Sequence, residues 1–208
     1  MNPNENVLKQ FNLKGEVEFL PGGEGRAYKV GQVVLKHINK DSEEYTKWIA
    51  DLFSETQEDG FRVAKPIKNI DGIWVTDNGW SAREFLEGSH NYKDSIKTSI
   101  QAITAFHKAI EDFSKPDFLG KEDSPYIRAD TYAWGDKPES IHEDIKNLVE
   151  ALYAIRKPVV GLKEQIIHGD LNPNNILVSD SLPPAIIDIT PYWRPIEFAL
   201  AIYAYWIA

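Results

Sequence analysis

Two short apolar or β-branched runs, residues 175–178 and 185–188, flank Ser179-Asp180-Ser181-Leu182-Pro183-Pro184, which is a loop by composition. A chain with this pattern is constrained to close a tight hairpin there. If Val178 lies opposite Ala185, Asn175 falls opposite Asp188. Directly opposed residues share a face with Cβ atoms about 4.5–5.5 Å apart, so one cation can bridge both side chains. The preceding residues Ile166-Ile167-His168-Gly169-Asp170-Leu171-Asn172-Pro173-Asn174 lead an apolar strand into a turn that carries Asp170.

The residue types at these positions form a chemical set. In an H-x-D-x-x-x-x-N segment the aspartate, here Asp170, can take a proton from an acceptor hydroxyl. The asparagine five residues on, Asn175, can hold Mg²⁺ through its amide oxygen, and Asp188 supplies the second metal carboxylate. This is the inventory that phosphoryl transfer requires, and it is more specific than the alternative of three turn-forming residues. His168 reads as a buried histidine that structures its own loop rather than as a proton carrier.

The chain has 208 residues, 42% of them apolar and 12% aromatic, so it can bury a core in one two-lobed domain. A net charge of −9 argues against a protein that embraces a nucleic-acid backbone, which needs a concentrated basic face, so any phosphate site is expected to be local. The absence of cysteine excludes disulfides, thiolate nucleophiles and Cys-ligated metals. The N-terminal residues lack the basic and apolar blocks of a signal peptide, which makes the cytoplasm the expected compartment. Residues 196–208 are strongly apolar but include Glu197 and fall well short of the roughly 20 residues of a membrane span. They read as a buried helix whose abrupt end predicts cover by a partner or by further chain. The aromatic surface at 192–208 leaves monomer and homodimer both open.

Residues 16–20, 26–30 and 33–38 alternate as a three-stranded meander, broken by Pro21-Gly22-Gly23-Glu24-Gly25 and by Gly31-Gln32. Asp41-Ser42-Glu43-Glu44 opens a helix with a capping residue and an acidic first turn, and its apolar stripe is Tyr45, Trp48, Ile49, Leu52 and Phe53. Two further strands are expected at 73–76 and 80–85. Five strands and one helix thus make a small lobe, residues 1–86, and Phe85-Leu86-Glu87-Gly88 leads out of it. Residues 87–208 form a mainly helical lobe with helices at 91–113 (Ile96, Ile100, Ile103, Phe106, Ile110) and 140–155 (Ile141, Ile145, Leu148, Leu152, Ile155). Residues 114–139 between them read as a long loop.

In the small lobe, Gly22, Gly23 and Gly25 between two strands can let backbone N–H groups approach phosphates. A tight hairpin is the plainer reading of the loop alone. Lys36 strengthens the case because it ends the apolar strand Val33-Val34-Leu35-Lys36, where an ammonium can reach the α- and β-phosphates. Such a lysine needs an orienting carboxylate, for which Glu44 is the candidate, with Glu43, Asp51 and Glu55 as neighbours. His107, on an apolar helix face, reads as a packing histidine. Trp193 and Arg194 either line an acceptor pocket or anchor the last helix. Between residues 111 and 150 there are 11 acidic and 5 basic residues, which reads as a solvated acidic surface or an attractor of a cationic acceptor.

With these residues in place, the chain resembles the aminoglycoside phosphotransferase family of the protein-kinase-like superfamily. The most specific match is His168-Gly169-Asp170-Leu171-Asn172-Pro173-Asn174-Asn175, closer to that family's H-G-D-x-x-x-x-N than to the H-R-D of protein kinases. After Asp188 the chain has Ile189-Thr190-Pro191 rather than Phe-Gly, and from Leu182 to Pro195 it looks more like a bacterial branch of the family than like the drug-modifying enzymes. The resemblance implies an α+β, two-lobed kinase-like fold whose larger lobe carries the catalytic β-hairpin. It also implies Asp170 as catalytic aspartate, Asn175 and Asp188 as magnesium ligands, and Lys36 as the nucleotide-phosphate lysine. The backbone around Glu84, Phe85 and Leu86 would contact the adenine. The expected cofactors are ATP, or GTP, and Mg²⁺, and the expected partner is a small-molecule hydroxyl acceptor rather than nucleic acid or membrane. The rival expectation is a nucleotide-binding pseudokinase without transfer.

Overall fold

The computed structural model describes residues 2–21, 25–90, 95–121, 124–135, 141–157 and 159–208. The N-terminal meander forms as its alternation predicts. Strands β1 (Glu18–Leu20), β2 (Ala27–Val30) and β3 (Val33–His37) pair antiparallel, with Ala27 opposite both Leu20 and Lys36. Gly31, at φ +61°, supplies the left-handed residue that the short β2–β3 turn requires. A helix that the sequence reading omits, α1 (Glu5–Gln10), is capped by Asn4, whose Oδ1 accepts from Val7 N at 3.1 Å. It places Val7 and Phe11 against Tyr28, Val30, Leu35, Trp80 and Ala82 to make the small core. Among the described residues the lobe therefore has a second α-helix beside the expected one.

The expected strand at 73–76 does not form. Asn69 turns that segment instead, its Oδ1 accepting from the backbone of Asp71 and Ile73 at 3.0 Å each. Only Val75 bridges back to Ser81, and Ile73 is left exposed. The fifth strand comes from β5 (Pro66–Ile67), an edge position where proline's missing donor is harmless. It pairs with β6 (Trp80–Glu84), so the sheet order is β1-β2-β3-β6-β5.

Helix α2 (Glu43–Glu55) forms where expected, although the Ser42 side chain makes no capping bond and its carbonyl accepts from the Thr46 hydroxyl. Leu52 and Phe53 are buried in the large core with Phe61, Val63, Phe106, Ile166, Ile186 and Tyr203. Strand β4 (Arg62–Val63) pairs in parallel with β9 (Ala185–Ile186), which pairs in turn with β8 (Ile176–Leu177). Thus α2 and β4 precede the connector in sequence yet share the core of the β8–β9 hairpin. Where the connector crosses the hairpin, Ser89 bridges Val178, and Gly88 allows the close approach: a Cβ there would lie 2.8 Å from that of Leu177.

In the larger lobe, α3 (Ile96–Ala109) buries Ile103 and Phe106, while residues 91–94 of the expected helix lie outside the described residues. The expected loop at 114–139 contains α4 (Pro125–Trp134), with Pro125 in its first turn and Gly135 as a left-handed C-terminal residue at φ +76°. Helix α5 (Glu143–Ile155) forms, but Ile145, Leu148, Leu152 and Ile155 are 50–76% exposed instead of buried. Strands β7 (Glu164–His168) and β10 (Pro191–Pro195) pair antiparallel, and α6 (Ile196–Ile207) buries Ala199 and Tyr203 while Tyr205 and Trp206 remain exposed. Among the described residues no helix is long and apolar enough to cross a membrane.

Candidate active site

The apolar residues Ile166 and Ile167 bury β7 and carry His168 to the end of the strand, where the chain must turn. His168 then organises two segments at once. Its Nδ1 accepts from the backbone N–H groups of Asp170 and Thr190, each at 3.3 Å, and its Nε2–H donates to the Ile187 carbonyl at 3.2 Å. His107 of α3 completes the frame, since its Nε2 accepts from His168 N at 3.1 Å and its Nδ1–H donates to the Ile103 carbonyl at 2.7 Å. These bonds require neutral rings. Burial lowers the pKa of His107 from the ordinary 6.5 to about 4, and burial plus the neighbouring His107 lowers that of His168 to about 3. Both histidines are therefore structural, as the sequence predicts.

Asp170, Asn175 and Asp188 line one cleft of about 570 Å³ together with Lys36 of β3. The hairpin register differs from the expectation by one residue: Ile176 faces Ile186, Leu177 faces Ala185, and Ile187 N donates to the Asn175 carbonyl at 3.0 Å. In a regular ladder that slip would send Asn175 and Asp188 to opposite faces. The ladder ends at Ile186, however, and Asp188 adopts a left-handed backbone at φ +48°, so both side chains still reach the cleft.

Within the cleft, Asn175 Nδ2 donates to the Asp170 carbonyl at 2.7 Å. Its Oδ1 has no donor among the described residues. Asp170 is exposed, with Asn172 Nδ2 3.2 Å from Oδ1 and Asn175 Nδ2 3.4 Å from Oδ2. No group of three or more His, Asp or Glu side chains among the described residues can hold a metal. Two hard oxygens, from Asn175 and Asp188, suit Mg²⁺, which binds through one or two protein ligands and takes the rest from phosphate and water.

Other expected residues are placed differently. Gly22 and Gly23 lie outside the described residues, while Gly25 is left-handed at φ +67°. Glu44 is exposed and does not line the cleft. Tyr45, Thr46, Ile49, Ala50 and Phe53 form the lining face of α2, and Glu43 pairs with Lys47. At 100° per residue, a helix cannot present Glu44 and that whole face together. Tyr45 instead ties α2 to the segment after Asp188 by donating to the Ile189 carbonyl. Glu84, Phe85 and Leu86 are also absent from the lining. The N–H groups of Glu84 and Phe85 donate to Lys65 and Gln32 carbonyls at 2.9 Å, and Lys29 Nζ covers the Phe85 ring at 3.8 Å. Arg194 is an anchor: it forms a 2.6 Å pair with Asp130 of α4 and lies over the Trp134 ring. Trp193 packs against the large core.

The cleft also holds two arginines that the sequence reading does not assign to it, Arg26 and Arg83. Arg83 Nη2 lies 3.4 Å from Asp188 Oδ1. The signal for Arg83 was strand parity, because Ser81 opposes Lys36 and Arg83 opposes Val34, which places Lys36 and Arg83 on one face of the sheet.

The phosphotransferase enzyme family (APH) model matches residues 16–190. No curated protein sequence matches the chain. The fold is similar to that of amicoumacin kinase hAmiN in complex with AMP-PNP, Ca²⁺ and Ami, with a TM-score of 0.64, 16% identity, and 98% of this chain and 67% of that one covered. It is similar to choline kinase LicA from Streptococcus pneumoniae, with a TM-score of 0.60, 18% identity, and 95% and 71% covered. It is similar also to the GDP complex of aminoglycoside 2'-phosphotransferase-IIIa, with a TM-score of 0.62, 17% identity, and 97% and 76% covered. With the family model spanning most of its length and the two-lobed α+β kinase-like fold in place, the chain belongs to the phosphotransferase enzyme family.

Proposed function

We propose that the chain transfers the γ-phosphoryl group of a magnesium nucleotide to a hydroxyl of a small molecule. The observation that carries this reading is the convergence of Asp170, Asn175, Asp188 and Lys36 on one cleft from three separate stretches of sequence. Asp170 accepts a hydrogen bond from the acceptor hydroxyl, orients its oxygen for in-line attack, and takes the proton at a carboxylate oxygen as the new bond forms. Lys36 holds phosphate oxygens, and Asn175 and Asp188 would hold the metal. Mg²⁺ in that place supplies charge neutralisation on the β- and γ-phosphates. His168 keeps the Asp170 turn and the Thr190 backbone in register throughout.

In this reading residues 1–86 hold the nucleotide, through the Gly22–Gly25 loop and the hinge around Leu86, and residues 87–208 carry the chemistry in the cytoplasm. Glu44 does not orient Lys36. The donor is ATP or GTP, a choice supported in both directions by the AMP-PNP and GDP complexes of similar folds. The acceptor is a hydroxyl compound of the broad kind that amicoumacin and choline kinases take.

Asp170→Asn should lower transfer of labelled phosphate by about a hundred- to ten-thousandfold while calorimetry shows Mg-nucleotide binding unchanged. Asp188→Asn should weaken that binding itself. An Asp170→Asn protein with full turnover would refute the assignment. One observation favours a second reading, a nucleotide-binding protein without transfer: α2 brings no carboxylate to the cleft. Tight Mg-nucleotide binding with no phosphate released to any hydroxyl compound or to water would select it.

A further inference from the structure

Strand β6 ends at Glu84, one residue beyond Arg83, and the hinge follows. Arg83 and Lys36 are diagonal neighbours across β3 and β6, since Lys36 opposes Ser81. Such neighbours sit about 7–8 Å apart. Arg83 thus lies between the phosphate lysine and the hinge, along the path a nucleotide must take to reach Asp188. Its guanidinium crosses from the small-lobe sheet to the catalytic hairpin and meets Asp188 Oδ1 at 3.4 Å. The two side chains are 35% and 46% exposed, so the contact is loose enough to exchange. A dication at the same carboxylate would sit beside a fixed positive charge and be repelled by it. The guanidinium released by that exchange would stand among nucleotide phosphates, its best available partners.

We propose that Arg83 is the resident counter-ion of Asp188: it holds the metal carboxylate until a metal–nucleotide arrives and then passes to the phosphates. Metal and nucleotide therefore load together, and metal alone binds poorly. The inference rests on the phosphotransferase reading and adds a positioning residue to it. It has a signature that simple damage to the cleft lacks, because removing Arg83 moves two affinities in opposite directions.

The test is calorimetric titration of wild type, Arg83→Gln and Arg83→Lys with Mn²⁺ alone, then with ATP and GTP in excess Mg²⁺, after circular dichroism shows equal folding. Arg83→Gln should bind Mn²⁺ alone roughly two- to fivefold more tightly, the scale of a partly exposed ion pair. The same variant should bind the Mg-nucleotide about tenfold more weakly, through loss of a charge-assisted bond to phosphate. Arg83→Lys keeps the charge and should restore most of both. Both affinities unchanged in Arg83→Gln, or both weakened, would overturn the inference while leaving the phosphotransferase reading standing. A wild type that binds neither Mg-nucleotide would sink that reading and the inference with it.

Discussion

Gly169 has no room for a side chain. A Cβ at this position would lie 2.0 Å from Cδ2 of Tyr192, so the ring of β10 sits where any larger residue would project. The glycine of H-G-D is thus a packing requirement, and it fixes where Asp170 leaves the strand. Gly169→Ala should cost about 1–3 kcal/mol by overpacking, read from urea denaturation. It should lower kcat more than that stability loss explains, because the displaced atoms carry Asp170. At this scale the gathering of Asp170, Asn175, Asp188 and Lys36 on one cleft was legible, because the proposed chemistry needs a particular functional group at a particular offset. Glu44 was not, since three further carboxylates on the same helix leave the choice to its rotation. Arg83 was visible to strand parity alone, and its partner Asp188 is 105 residues away.

Between elements, a buried ion pair ties the larger lobe together. Arg194 of β10 and Asp130 of α4 are only 9% and 11% exposed, and the guanidinium engages the carboxylate through both Nε and Nη2. Arg194→Met would keep the apolar stem while removing this guanidinium from the buried Asp130 carboxylate, at a cost of about 3–5 kcal/mol. Thermal unfolding measures the loss, and hydrogen exchange should show α4 opening ahead of β7 and β10. Helix α4 itself was missed within an expected loop, although Pro125 and Gly135 mark its ends, because its polar and aromatic residues carry only a weak apolar stripe. The meander and α2 were legible because their periodicities are strong. The segment at 73–76 misled because the β-branched and aromatic residues Ile73, Trp74 and Val75 read locally as a strand, whereas the Asn69 side chain holds the backbone in a turn.

At the scale of the whole molecule, the buried histidine pair links stability to pH. His107 and His168 are neutral in the fold, with values near 4 and 3, and ionise near 6.5 once unfolded. Below pH 6.5 the unfolded chain binds more protons than the folded one, so their stabilising contribution is full above that pH and is lost as pH falls toward 4 and 3. Between pH 7.5 and 5.5 the two should remove about 2–3 kcal/mol, measured by urea denaturation at each pH, and His107→Gln should remove roughly half of that dependence. The chemical inventory, the α+β class and most of the local elements can be read along the chain, because hydrophobic periodicity, turn residues and motif spacing act over a few residues. Long-range packing sets the rest: the hairpin register, the left-handed turn that returns Asp188 to the cleft, and the membership of α2 and β4 in the large core. It also decided that the apolar stripe of α5 faces outward. Periodicity gives a helix an apolar face, but what that face meets depends on contacts between residues far apart in sequence.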